Sequence, residues 1–267
     1  RIYRQRGDST LLAEMLTKRS QLESDSARRK ELLSEAARLY EGELADEFKA
    51  IEAWKKILEL DESDTRALAS LAELYQRSRR FEDLVNVLRA QAGHTTQPAQ
   101  RAQIFGRIAE LLADELERPT EAIETYRELL DLQPNSLKAL TSLEALYTRQ
   151  EQWPLVQEVL NRRLRVVSGT RERVNVLRKL AQLALDRLNS TEDASGYLQQ
   201  VLELAPGDAE AEKELERLLE KSEKWYDLVE VLVRHADSSA KTGDADGEIA
   251  LLLRAAEIWE SKVQAPE

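Results

Sequence analysis

Only two histidines are available for acid–base or metal chemistry, and they lie far apart. His94 precedes a short Thr- and Pro-containing stretch, and His235 lies near the end of a late apolar-periodic segment. Neither has a second His at metal-ligand spacing, and the chain contains no Cys. His235 also occupies the position that Arg163 holds one repeat earlier, which predicts a solvated surface site. We expect no catalytic residue, no metal site and no cofactor.

Carboxylates are numerous enough to form close pairs, with 50 Asp and Glu against 39 Lys and Arg. The densest group is Glu210, Glu212, Glu214 and Glu216. Alternate positions on a helix cannot all share one face. A general acid–base pair also needs a desolvated cleft that separates its two pKa values. The pattern therefore predicts a solvated charged face rather than a catalytic pair.

A basic segment stands out within a chain of net charge −11. Its cations are Arg162, Arg163, Arg165, Arg171, Arg173, Arg178 and Lys179. An acidic chain repels phosphate, and RNA-binding helical repeats need a regular base-reading position, which this sequence lacks. An acidic protein partner, or pairing within the chain with acidic neighbouring units, including the 205–230 stretch, is favoured. RNA binding stays the alternative.

The four tryptophans could stack on bases or sugars, but their positions are typical of a core. Trp54 and Trp259 coincide with apolar positions of the internal repeat, and Trp153 and Trp225 share one position with Phe81. Large aromatic side chains contribute most when they are buried. We expect these side chains to serve packing.

The elements that position all of these residues are predicted to be helices. Leu, Ala, Glu and Arg dominate, aromatic residues make up 5%, and there are only 9 Gly and 6 Pro. No apolar run is long enough to span a membrane, so membrane insertion is not expected. The sequence leaves the compartment open, with a slight preference for the cytoplasm.

A repeat of 72 residues organises the chain. Ala50, Ala122 and Ala194 mark one repeated position, and each copy contains four apolar-periodic blocks separated by turn residues. The predicted units are 1–35 (partial), 36–107, 108–179, 180–254 and 255–267, the last being the first helix of a truncated unit. We predict an all-α solenoid of about 14 or 15 antiparallel helices in a right-handed superhelix.

The RGDS stretch at 6–9 spells a tripeptide that integrins read, but its place in the repeat gives it a structural role. It precedes 78–81, the turn between two helices, by one repeat. We therefore interpret it as a turn. The chain begins and ends inside predicted units, which indicates a piece of a longer array.

End helices without a packing neighbour expose apolar side chains. We expect partial exposure of Leu12, Leu16, Ile258 and Trp259, and end-to-end self-association through these faces.

The repeat resembles the tetratricopeptide repeat, a helix pair with small and aromatic residues at set positions. The first half of the second unit carries the better match, with Ala109, Ala122, Tyr126 and Pro134 at the expected places. The second halves match less well. Glu144 and Glu216 occupy a position that usually holds a small residue, such as Ala72 in the first unit.

This resemblance implies a protein-interaction scaffold without catalytic activity, which holds a partner segment in a concave groove lined by the first helix of each pair. Mapped onto this sequence, the groove residues are Lys138, Thr141, Asn175, Arg178, Gln182, Lys213 and Arg217. Their cations predict an acidic or carboxylate-bearing peptide as ligand. The alternative is that these cations only balance acids of neighbouring helices.

Two other functions stay open. One is an RNA-binding repeat protein. The other is an accessory domain of a larger enzyme, or of a bacterial envelope or motility assembly, where arrays resembling this one occur.

Overall fold

The computed structural model describes residues 8–263, and within them every regular element is a helix. Fourteen α-helices are present and no strand, which confirms the predicted all-α class and the predicted number of helices. The chain divides into two compact units, Arg1–Pro134 and Asn135–Glu267. Within residues 8–263, no helix has both the length and the apolar composition needed to cross a bilayer.

The first unit contains seven helices. They are α1 (Ser9–Leu22), α2 (Ser26–Glu41), α3 (Glu47–Leu60), α4 (Thr65–Arg77), α5 (Phe81–His94), α6 (Pro98–Glu110, extended by the π turn Leu111–Glu115) and α7 (Pro119–Leu132). Each helix packs on the next one along the chain. Because the connections are short, neighbouring helices run antiparallel.

The second unit repeats this arrangement with α8 (Leu137–Arg149), α9 (Trp153–Val166), α10 (Thr170–Asp186), α11 (Thr191–Leu204), α12 (Ala209–Lys221), α13 (Trp225–Thr242) and α14 (Ala245–Ile258, extended by the π turn Trp259–Val263). Here too each helix packs on its successor. The predicted unit boundaries, which fall at other positions than the division at residue 134, stay a prediction.

Side-chain caps of the residue types that favour helix starts open three of these helices. Asp64, Ser136 and Asp208 each accept a hydrogen bond from a backbone amide in the first turn of α4, α8 and α12. Asp8 caps α1 in the same way, accepting from the Leu11 amide at 3.0 Å. This cap agrees with the interpretation of RGDS as a turn, although the Arg and Gly of that stretch lie outside the described residues.

A left-handed residue in every turn within a helix pair shows the 72-residue period directly. Among the described residues, six that are not glycine have φ between 50° and 55°. They are Ala45, Glu117 and Asn189, spaced by 72 residues, and Arg79, Glu151 and Glu223, with the same spacing. The amide after each one closes the turn onto a carbonyl of the preceding helix, as from Arg80 to Tyr75 at 2.9 Å and from Lys224 to Leu219 at 3.0 Å.

Small and aromatic residues fill the core of each unit as predicted. The repeated alanines Ala50 and Ala122 are fully buried in the first unit, and Ala194 is fully buried in the second. Trp54 is also buried, whereas Trp259 is only partly buried and packs against the Tyr226 ring at a centroid distance of 5.6 Å.

Apolar side chains remain accessible on the first and last described helices. Leu12, Ile258 and Trp259 are partly exposed, as predicted. Leu16 is instead buried, because α1 packs along α2. On α14, exposed apolar side chains are Ile249, Leu252 and Leu253. Self-association through these faces stays a prediction.

Candidate functional site

Three helices of the second unit carry the residues predicted to line a groove. Lys138 and Thr141 lie on α8; Asn175, Arg178 and Gln182 lie on α10; Lys213 and Arg217 lie on α12. These are the first helices of three successive pairs. Arg178 is half-buried and the other six side chains are exposed.

A concavity of about 580 Å³ between α10 and α12 brings four of the seven together. Arg178, Gln182, Lys213 and Arg217 all line it, and Leu198 of α11 contributes to the wall. Its acidic lining residues are Asp186, Glu210 and Glu214. Lys138, Thr141 and Asn175 lie outside this concavity, so α8 contributes none of the predicted residues to it.

Arg178 joins α10 to the start of α12. Its Nη2 lies 2.5 Å from Asp208 Oδ2, and its Nη1 lies 2.6 Å from Glu210 Oε2. Burial alone would raise the pKa of Asp208, but the Arg178 guanidinium and the backbone amides of Ala211 and Glu210 keep this pKa below its ordinary value. Since Asp208 is also the cap of α12, Arg178 stabilises a helix start and is not a free ligand-binding cation.

Lys213 and Arg217 are the cations of the concavity without a strong internal partner. They lie one turn apart on α12. Lys213 makes no ion pair in the described part of the chain, and Arg217 reaches only Glu214, at 3.5 Å, with 77% of its side chain exposed. A carboxylate entering the concavity would therefore meet two solvated cations.

A second concavity, which was not predicted from the sequence, lies in the first unit between α2 and α4. It has a volume of about 950 Å³, and its lining includes Lys30, Ser34, Arg38, Trp54 and Arg66. Ser34 and Arg38 hold the repeat positions of Arg178 and Gln182. Shifting the predicted groove positions of the later units back by two repeats gives residues that line this concavity.

Lys30 plays in the α2–α4 concavity the part that Arg178 plays in the α10–α12 concavity. Its Nζ lies 2.7 Å from Asp61 and 2.8 Å from Asp64, the cap of α4. The hydrogen bond from Lys30, with those from Ser63, lowers the pKa of Asp61 to about 2. In both units a cation from one first helix therefore neutralises the acidic cap of the next.

Part of the basic segment is also neutralised within the second unit. Arg163 Nη1 lies 2.6 Å and Lys179 Nζ 2.5 Å from the carboxylate of Glu144 on α8. With Arg178 bound to Asp208 and Glu210, three of the seven cations have acidic partners on neighbouring helices. The alternative of pairing within the chain thus holds for these three.

The prediction of a solvated face is wrong for Glu212, Glu216 and His235. Glu212 and Glu216 are buried, because they lie one turn apart on the face of α12 that packs against α13. His235 of α13 is mostly buried between them, with Nδ1 2.6 Å from Glu216 and Nε2 3.2 Å from Glu212. Even so, no three His, Asp or Glu side chains among residues 8–263 are arranged to hold a metal ion.

Comparison with known families identifies one helix pair directly. Residues 67–102, which span most of α4, all of α5 and the start of α6, match the tetratricopeptide repeat. They lie in the second half of the predicted repeat unit 36–107, whereas the better match was expected in the first half of the unit 108–179. The matched pair carries Ala72 at the position that Glu144 and Glu216 occupy in the later copies. No curated protein sequence matches the chain.

Several solved structures of helical-repeat proteins are similar to the chain. A tetratricopeptide repeat protein from Parabacteroides merdae is 17% identical, with a TM-score of 0.41 over 88% of this chain and 94% of its own. PilF of Pseudomonas aeruginosa is 20% identical, with a TM-score of 0.38 over 79% and 90%. YrrB, described as a tetratricopeptide repeat protein with an unusual peptide-binding site, is 16% identical, with a TM-score of 0.35 over 78% and 93%.

Proposed function

We propose that the chain is a tetratricopeptide-repeat protein that holds an extended segment of a partner protein in the concavity between α10 and α12. The fold is typical of interaction scaffolds without catalytic activity. The observation that carries the proposal is the convergence of Gln182, Lys213 and Arg217 on one concavity in which the last two cations are solvated.

The partner segment is acidic in this proposal. Carboxylates spaced along an extended peptide would pair with Lys213 and Arg217, while Arg178 keeps α12 in place. The acids Glu210 and Glu214 restrict where such a peptide could lie. Rim charges of this kind contribute modestly to affinity and more to orientation and association rate.

The binding test uses a fluorescein-labelled peptide of alternating Glu and Ala, with a Gln and Ala peptide as the uncharged control. Fluorescence anisotropy is measured for the wild type and for the double variant Lys213→Glu/Arg217→Glu. Each lost ion pair should cost about 1 kcal/mol, so the double variant should bind the acidic peptide about ten-fold or more weakly. Its thermal unfolding should not change, because both side chains are exposed.

Arg234→Glu is the matched control, since Arg234 is equally exposed but lies on α13, outside this concavity. It should bind within about two-fold of the wild type. Equal binding by all three proteins, or an equal loss in the control, would overturn the proposal. Arg178→Glu is unsuitable as a probe, because it would repel Asp208 and weaken the start of α12.

The RNA-binding alternative is tested in the same assay with a labelled single-stranded RNA. The proposal expects no RNA binding at physiological salt. If the chain binds the RNA more tightly than the acidic peptide, the RNA-binding function replaces this proposal.

A further inference from the structure

The packed face of α12 buries two carboxylates, and one of them, Glu212, stands where the other copies of the repeat bury a leucine. Glu212 is 5% exposed and Glu216 is 6% exposed. Leu68 and Leu140, at the repeat position of Glu212, are 1% and 0% exposed. A buried carboxylate is costly unless a counter-charge or a proton neutralises it. The last described repeat has therefore replaced a core leucine by a group whose charge depends on pH.

Counter-charges come from the two helices that follow. His235 of α13 bridges the two carboxylates, at 2.6 Å from Glu216 and 3.2 Å from Glu212. Arg254 of α14 binds Glu216 at 3.0 Å and the exposed Glu220 at 2.9 Å. We call Glu212, Glu216, His235 and Arg254 the terminal charge cluster. It joins α12, α13 and α14.

Other charged groups surround this cluster on every packed element. They are Asp208 and Glu220 on α12, Glu203 on α11, Arg234, Asp237 and Lys241 on α13, and Arg178 of α10, which binds Asp208. Of these, Arg178 is already paired with Asp208. The side chain that bridges both buried carboxylates is that of His235.

Protonation of Glu212 is favoured in the folded chain. Burial raises the pKa of this carboxyl above its ordinary value, and the neighbouring charges of Glu216 and Asp208 raise it further. The positive charge of His235 and the Gly207 amide oppose this shift. A raised pKa contributes stability that is present below the ordinary value of 4.5 and is lost as the pH rises through the folded-state value.

We propose that the terminal charge cluster is a proton-dependent clasp, which holds the α13–α14 hairpin on α12 more firmly at acidic than at alkaline pH. When Glu212 carries a proton, His235 and Arg254 face a single buried carboxylate, that of Glu216. When Glu212 has lost this proton, two carboxylates one turn apart are buried on the same face of α12. The hairpin then opens more often, because opening returns the excess negative charge to water.

The preceding copy provides a control within the same unit. There Glu144 of α8 binds Arg163 of α9 and Lys179 of α10. Arg163 holds the repeat position of His235. Leu140 stands where Glu212 stands in the later copy. This copy therefore lacks the second buried carboxylate, whose proton the proposal requires.

The test is hydrogen exchange of the full chain at about pH 5, 6.5 and 8, corrected for the intrinsic pH dependence of amide exchange. Protection in α13 and α14 should fall across this range as Glu212 loses its proton. Protection in α9 and α10 should change less than about two-fold.

Two variants isolate the cause. Glu212→Gln, which keeps the shape of the side chain but cannot ionise, should remove the fall in α13 and α14. Glu212→Leu, which copies the residue of the other repeats, should raise protection at about pH 8 more than at about pH 5 and so shrink the fall at least about three-fold. The proposal is overturned if the wild type shows no fall, if α9 and α10 fall equally, or if either variant keeps the wild-type profile.

Discussion

The α4–α5 pair of the first unit and the α12–α13 pair of the second are copies of one half-repeat, yet they bury opposite chemistry. Leu68 and Ala72 lie in an apolar core, whereas Glu212 and Glu216 occupy the same two positions in α12. The turns are alike, since Arg79 and Glu223 have φ values of 55° and 54°. The backbone of the repeat is therefore set by its turns and crossings, and it accepts a charged interior where the following helices supply counter-charges.

The α8–α9 pair is intermediate and shows which substitution matters. It keeps Leu140 in the core and has Glu144 at the second position, neutralised by Arg163 and Lys179. One carboxylate at the edge of the core can thus be balanced by permanent cations. The second carboxylate, Glu212, appears together with a histidine, the side chain whose charge changes near neutral pH.

The largest loss of stability is expected when a buried carboxylate is introduced into the first unit without a counter-charge. Leu68→Glu should destabilise the first unit by about 3–5 kcal/mol, because Gln91 stands at the position of His235 and leaves the new carboxylate unpaired. Urea unfolding followed by circular dichroism measures this loss.

Adding Gln91→His to this variant should recover about 1–2 kcal/mol at mildly acidic pH through the new ion pair. A cost below about 1 kcal/mol for Leu68→Glu alone would show that the position is solvated in practice. The two helix pairs would then not differ in the cost of burying a carboxylate, and the comparison would fail.

A smaller effect is expected from converting the middle pair to the chemistry of the last. Arg163→His should leave stability close to wild type at about pH 5 and lower it by about 1 kcal/mol at about pH 8, since only a protonated imidazole pairs with Glu144. Thermal unfolding at the two pH values measures the difference. Arg163→Lys is the control and should show no pH dependence; an equal shift in that control would contradict the explanation.

The smallest effect concerns the turns that the two pairs share. Arg79→Gly and Glu223→Gly should each stabilise the chain by about 0.5–1 kcal/mol, because glycine adopts a left-handed backbone without steric cost. Arg79→Ala should be nearly neutral, since Ala45 already occupies the equivalent kind of turn. A gain at one position only would show that the turns differ more than their backbone angles indicate.

Much of this architecture is local in origin and could be predicted. Helical periodicity, the caps at Asp64, Ser136 and Asp208, and the small residues at helix crossings are set by residues within a few positions of one another. The repeat then extends each local inference to every copy. For this reason the helix number and the fold class followed from the pattern.

The sequence by itself thus determined which helices form, because helix formation depends on short spacings along the chain. Only the tertiary structure decided which charges are neutralised. Arg178 meets Asp208 and His235 meets Glu216 across helices that are about 20 to 30 residues apart in sequence. Whether such a group is solvated, paired or buried depends on the distance between packed helices and on side-chain direction, and residue identity and repeat position do not contain either quantity.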